Sequence, residues 1–213
     1  MKPEMKSTIG ILLGALVVFG ALIFFWSKGS NTTADPTRLI RNDSYSIGPT
    51  DAKVTLVEFA DFECPSCAAE HPIIDQYLKE YAGKVRFVYR YFPLPQHTHA
   101  YLAINFAEAA GAQNKFFEMG GAMFEHQDEW GQKPADPTDL FVKYAKALGL
   151  DTAKMLPDIK SMKYNDKASR DLADGEALGV NSTPTLFLNG KKQVGILSLA
   201  TLRELTDQAL SGK

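Results

Sequence analysis

Hydrophobic and polar positions divide the chain into stretches of different period. Residues 9–26, IGILLGALVVFGALIFFW, are 18 positions without a charge or a proline. As a helix this run spans about 27 Å, close to the hydrocarbon thickness of a bilayer. It predicts a transmembrane anchor after a short tail, residues 1–8. A cleaved signal peptide is the competing reading, but its apolar run is usually shorter, about 7 to 15 residues. The small-residue site at Thr32-Thr33-Ala34 also lies eight residues beyond the run. Residues 27–43, SKGSNTTADPTRLIRND, are polar and turn-rich and predict a linker.

From Ser44 the pattern becomes that of a folded domain, residues 44–213. YSIG is a short strand candidate, and VTLVEFA, residues 54–60, is nearly all apolar, as expected of a strand buried on both faces. Residues 65–82 predict a helix and KVRFVYRYF, residues 84–92, the next strand, together a parallel βαβ unit. Helical patterns then run through an insertion of about residues 97–179. Within it Thr98 is a cap candidate, Gly120 and Gly121 weaken one helix, Asp136-Pro137 starts another, and Pro157 interrupts a third. Phe116, Phe117, Met119 and Phe124 are expected to be packing core rather than a peptide-binding surface. The strand pattern returns at TLFLNGKKQVGI, where Asn189-Gly190 is a hairpin signal, and LATLRELTDQAL closes the chain as a helix.

Composition narrows the function classes. The 213 residues carry a formal net charge of −2. Without residues 1–28, which hold three lysines and one glutamate, 20 basic residues stand against 24 acidic ones. A nucleic-acid binder would need a basic surplus or stripe, and neither is present. The flanking charges, Lys2 and Lys6 against Lys28, Arg38 and Arg41, do not decide the orientation of the anchor.

The candidate chemistry lies in FADFECPSCAAEH, residues 59–71, which contains both cysteines of the chain. Cys64 stands just before the first turn of the predicted helix, Pro65 at its first position and Cys67 one turn in. Unpaired amides and the positive end of the helix dipole point at Cys64 and favour its thiolate. Cys67 is within reach to close a disulfide with Cys64, or to resolve a mixed disulfide formed there. A purely structural bridge is a poor competitor, since closing so short a loop gains only about 2 kcal/mol in the chain-entropy model. Metal binding is the other competitor: Cys64, Cys67 and His71 have plausible spacing, and His97, His99 or His126 could complete a zinc site. Against it, the first cysteine sits at the mouth of a helix. His97 and His99 read more simply as part of a loop and cap region, with a lining of the active-site face as the second reading. Glu58 interrupts the buried strand six residues before Cys64; buried without a cation its pKa would rise, and it could exchange protons with Cys67. The bland alternative is a carboxylate reaching water or a lysine at the strand end.

FECPSC at a strand-to-helix joint, Thr183-Pro184 before a late strand, and helices inserted after the βαβ unit together resemble the DsbA-like thiol-disulfide oxidoreductases of the thioredoxin superfamily. The resemblance covers about residues 42–211. It implies an α/β thioredoxin fold (βαβ … ββα) with an inserted helical domain, here preceded by a single N-terminal transmembrane helix. It also implies a cis peptide at Thr183-Pro184 facing the cysteines, with Thr183 and Pro184 binding an extended substrate. Cys64 and Cys67 would be the redox-active pair and Glu58 its buried acid. Pro65 and Ser66 would tune the pair, and Pro72 would kink the helix. Ser66 stands where the most oxidising members place a histidine, which implies a less stabilised Cys64 thiolate.

The function expected is an extracytoplasmic dithiol oxidase, without cofactor or metal. It would act on exported proteins with free thiols, be reoxidised by a membrane quinone-linked partner, and be a monomer held by its own single-pass anchor. An oxidase is useful where disulfides persist, which places the N-terminus in the cytoplasm. An extracytoplasmic reductase is the alternative in the same class; a redox-inert zinc-binding or peptide-binding module is the alternative in another.

Overall fold

The computed structural model describes residues 34–212. The anchor expected at residues 9–26 lies outside the described residues; among those described, no helix is long and apolar enough to cross a membrane. The strands are β1 (Ser46–Ile47), β2 (Val54–Ala60), β3 (Val85–Tyr91), β4 (Thr185–Leu188) and β5 (Lys191–Val194), in one sheet of order β1-β3-β2-β4-β5. The apolar run VTLVEFA is the central strand, parallel to β3 and antiparallel to β4. Its composition follows from covering on both faces. Val54, Leu56 and Ala60 join the larger core, while Val57 and Phe59 pack on the opposite side with Val88, Phe92, Val180 and Phe187.

The helix α2 (Pro65–Glu80) follows β2 and contains Pro72. Between β3 and β4 stands the helical block: α3 (Ala100–Gly111), α4 (Phe116–Glu125), α5 (Gln127–Trp130), α6 (Thr138–Ala147), α7 (Thr152–Lys160) and α8 (Asn165–Ala177). Phe116, Met119 and Phe124 are buried in its core, with Phe117 packed against it. The glycines of α4 have a packing reason: a Cβ on Gly120 would lie 2.9 Å from the Phe62 ring, and one on Gly121 3.3 Å from His71 Nε2. They let α4 approach the loop before α2 and α2 itself. The β4–β5 hairpin turns at Asn189 and Gly190, both at positive φ (46° and 80°), as a tight two-residue connection requires. The last helix, α9 (Leu199–Ser211), starts where Ser198 Oγ accepts from the Thr201 amide at 3.1 Å.

Two expectations are corrected. The compact unit begins at Ala34, so the last ten residues of the expected linker, 34–43, belong to it. A short helix α1 (Pro36–Leu39) is capped by Asp35, Leu39 is buried, and Arg41 makes a two-point ion pair with Asp174 (2.8 and 2.6 Å). The polar composition that suggested a linker supplies these ties, whose partner lies 133 positions away in sequence. Thr98 is also not the cap of α3. That position belongs to His99, whose amide donates to Glu63 from the loop before α2, at 2.7 Å.

Candidate active site

The loop from Asp61 to Cys64 leaves the carboxyl end of the central strand and enters α2. Cys64 is the residue before the helix, in extended conformation, and its carbonyl accepts from the Cys67 and Ala68 amides at 3.1 Å. Pro65 occupies the first helical position, where no intrahelical N–H is needed. Both thiols are unbonded. Cys64 is 5% exposed and Cys67 1%, so an incoming sulfur meets Cys64 first.

The two thiols have opposite acidities. Cys64 is lowered to about 5, chiefly by the hydrogen bond from the Cys67 thiol; burial opposes this, and Thr183 and the backbone amides of Cys67 and Ser66 add to it. Cys67 is pushed well above the ordinary thiol value by burial, then by its bond to Cys64 and by the charges of Glu58 and Cys64. Ser66 acts on Cys64 through its backbone amide, and its side chain belongs to an exposed residue.

Thr183-Pro184 is a cis peptide, as the resemblance implies. The Cys64 thiol donates to the Thr183 carbonyl at 3.5 Å, which brings residues 119 positions apart to one site. Glu58 is buried on the sheet face shared with Leu56 and Ala60, not at a strand end in water. Burial first, then Glu70 and Cys64, hold its carboxyl well above the usual range. The expected residues Glu58, Cys64, Pro65, Ser66, Cys67, Thr183 and Pro184 thus fall around one point.

Several residues that frame the point carried no signal in sequence. Asp61 is buried and accepts from the amides of Glu63 and Leu94 (2.8 Å each) and bonds His97 Nδ1 at 2.7 Å. The Asp61 bond raises the His97 pKa against burial, and Cys64 adds to the rise; His97 stands in the loop before α3, as expected, beside the cysteine loop it bonds through Asp61. Glu63 accepts from the amides of His99 and Gln132, and Gln127 donates to the carbonyls of Phe62 and Cys64. These bonds clamp the cysteine loop between β3 and the helical block. Glu70, fully buried on α2, lies within hydrogen-bonding reach of Glu58. Among the described residues no three His, Cys, Asp or Glu side chains converge as metal ligands; His71 faces Asp75 and Phe124.

Comparison with known proteins agrees with this geometry. The family model described as Thioredoxin matches residues 41–208. Proteins named Na(+)/H(+) antiporter NhaA 1 from Mycobacterium sp. (strain KMS) and Mycolicibacterium gilvum (strain PYR-GCK) are 38% identical over 160 residues, 73% of this chain and 25% of each relative. The chain thus spans about a quarter of their length. Among solved structures, a thioredoxin-like oxidoreductase from Silicibacter pomeroyi DSS-3 superposes with TM-score 0.70 at 23% identity, over 84% of this chain and 99% of that one. BdbD from Bacillus subtilis (oxidised) superposes with TM-score 0.71 at 22% identity, over 79% and 94%. For alpha-DsbA1 from Wolbachia pipientis the values are 0.71 and 21%, over 82% and 96%. With the family model covering most of the chain and the paired thiols at the mouth of α2, this protein belongs to the thioredoxin family and shares the fold of the DsbA-like structures.

Proposed function

We propose that this protein is an extracytoplasmic dithiol oxidase that introduces disulfides into exported proteins. The observation that carries the reading is the split between a Cys64 lowered to about 5 and a Cys67 raised well above the ordinary value. A stabilised Cys64 thiolate favours the reduced enzyme, which makes its disulfide an oxidant.

A substrate thiolate attacks the Cys64 sulfur of the Cys64–Cys67 disulfide, and Cys67 leaves as a thiolate that takes a proton from Glu58. A second substrate thiolate attacks the substrate sulfur of the mixed disulfide. It releases Cys64, whose low pKa makes it a good leaving group. The substrate has lost two electrons, which the enzyme holds as a Cys64 thiolate and a Cys67 thiol; the two protons of the substrate thiols pass to solvent, which reprotonates Glu58. Thr183 and Pro184 flank Cys64 where an extended substrate would lie, and the Thr183 backbone is the edge it would pair with. A membrane quinone-linked protein then reoxidises the pair. The apolar run at residues 9–26 supports a single-pass tether with the domain outside the cytoplasm. The membrane context in the names of the antiporter relatives is consistent with such a tether. Their ion exchange is not carried over, because this chain matches only about a quarter to a third of each.

The test is the equilibrium reduction potential of Cys64–Cys67 against glutathione. A value well above about −270 mV, toward the roughly −120 mV of the strongest oxidants, supports the oxidase. A value at or below about −270 mV turns the reading to a reductase.

A further inference from the structure

Glu70 is absent from the chemistry described so far, yet it is fully buried on the helix that carries both cysteines. Its Oε1 accepts from the Leu197 amide at 3.0 Å, in the connection between β5 and α9. Its Oε2 is buried without a donor among the described residues. The Glu58 carboxyl lies within hydrogen-bonding reach of it. An ionised carboxylate has no proton to offer, and two buried carboxylates in contact cannot both be charged at modest cost. One proton between them removes both difficulties: it supplies the donor that Oε2 lacks and leaves a single charge on the pair.

We propose that Glu70 is a positioning residue for proton transfer at Cys67, sharing one proton with Glu58 so that the two carboxyls titrate as a coupled pair. This rests on the thiol-exchange reading above and deepens it. The surroundings fit such a pair. Glu58 faces Glu70, Cys64 and Cys67, and from β3 Tyr89, whose buried hydroxyl has no hydrogen-bond partner among the described residues. Leu186, its register partner on β4, is apolar, and His71 and Asp75 of α2 line the same cavity of about 60 Å³. No lysine or arginine is among the groups acting on either carboxyl. Burial raises both, Glu70 to about 7, where the Leu197 amide and Glu58 hold it down. The pair therefore cycles between a neutral form with two protons and an anion with one. When the disulfide opens, the neutral pair gives a proton to the Cys67 thiolate and keeps the other shared. When Cys67 attacks, its proton returns to the anion. A lone buried glutamate would have no shared proton to stabilise its charge.

Carbon-13 NMR of labelled glutamate carboxyls in the reduced full-length protein tests the coupling. Glu58 and Glu70 are expected to show two steps each, at the same two pH values, and Glu70 a single step in Glu58→Gln. A Glu70 that titrates once, at the same pH in both proteins, overturns the shared proton. The positioning role is read from the pH profile of the step in which Cys67 resolves a Cys64–glutathione mixed disulfide. Glu70→Leu should raise its midpoint by about one pH unit, a tenfold slower step at a fixed pH below both midpoints. Glu70→Gln, whose amide can donate the missing bond, should restore most of it. An unmoved midpoint in Glu70→Leu overturns the role. If the wild-type protein forms no mixed disulfide, the redox reading fails, while the titration still decides the pair.

Discussion

The Cys64 thiol donates to the backbone carbonyl of Thr183 at 3.5 Å, while the Thr183 hydroxyl is buried with no partner among the described residues. One residue thus offers the sulfur an acceptor in the thiol form and a donor in the thiolate form. Thr183→Val keeps the carbonyl and removes the donor. We expect the Cys64 pKa to rise above its value of about 5 and the disulfide to become less oxidising. Below about pH 5, where Cys64 is a thiol, the reduced variant should lose no stability and is expected to gain about 1 to 3 kcal/mol, since a buried unpaired hydroxyl is removed. Thiolate absorbance followed against pH reads the first effect and denaturant unfolding the second. An unmoved thiolate midpoint would mean that the hydroxyl never reaches the sulfur.

The depressed Cys64 also makes the stability gap between reduced and oxidised protein depend on pH. Unfolded, Cys64 binds its proton up to its ordinary value of 9.0; folded and reduced, it releases it near 5. The unfolded state therefore binds more protons across this window, and the reduced form gains stability as pH rises through it. The gain is complete above the ordinary value and is lost as pH falls through about 5. The oxidised form has no thiol to titrate, so the Cys64 contribution appears only in the reduced form. Melting temperatures of both forms from pH 5 to 8 should diverge upward for the reduced protein. A constant gap would show that Cys64 is an ordinary thiol.

What could be read in the sequence was local. The buried strand, the proline at the first helical turn, the paired cysteines and the hairpin turn each announce themselves within about ten residues. Glu58 was legible because an acid breaks an otherwise apolar run. Glu70 was not: between Ala69 and His71 on a helix it looks solvent-facing, and what buries it comes from β2 and from Leu197, 127 positions away. Asp61 pairs with His97 across 36 positions and Arg41 with Asp174 across 133. Nothing in the periodicity of either segment encodes such a partner. The glycines of α4 looked like weak points in a helix because the Phe62 ring that needs the space belongs to another element.

Arg90 is fully buried on β3, on the sheet face away from Glu58. It donates to Asp171 (2.9 Å), to Asp174 (2.7 Å) and to the carbonyls of Arg38 and Leu39 (2.6 and 2.7 Å). Arg90→Met should cost about 3 to 5 kcal/mol, because Asp171, Asp174 and the end of α1 lose the buried guanidinium, although Asp174 keeps Arg41. Arg41→Ala should cost less, since Asp174 keeps Arg90. Urea unfolding of both variants checks the order. A nearly neutral Arg90→Met would show that the network is not needed to hold residues 34–43 on the domain.

The Asp61–His97 pair fixes the loop that presents Cys64, and its contribution has a definite sign with pH. Asp61 raises the His97 pKa above 6.5 in the folded protein. The folded state thus binds more protons than the unfolded state above 6.5, and stability falls as pH rises through that window. The contribution is full below 6.5 and disappears once pH passes the folded value. Asp61→Asn removes the charge that holds the imidazolium and puts an NH2 group where an oxygen accepts from Leu94 or Glu63. It should therefore cost about 1 to 3 kcal/mol at any pH from the mismatched buried amide. A further loss should appear at pH 6 and be absent at pH 9. His97→Gln should reproduce only the pH-dependent part. If the cost of Asp61→Asn is the same at both pH values, His97 is neutral in the folded protein and the pair is an ordinary hydrogen bond.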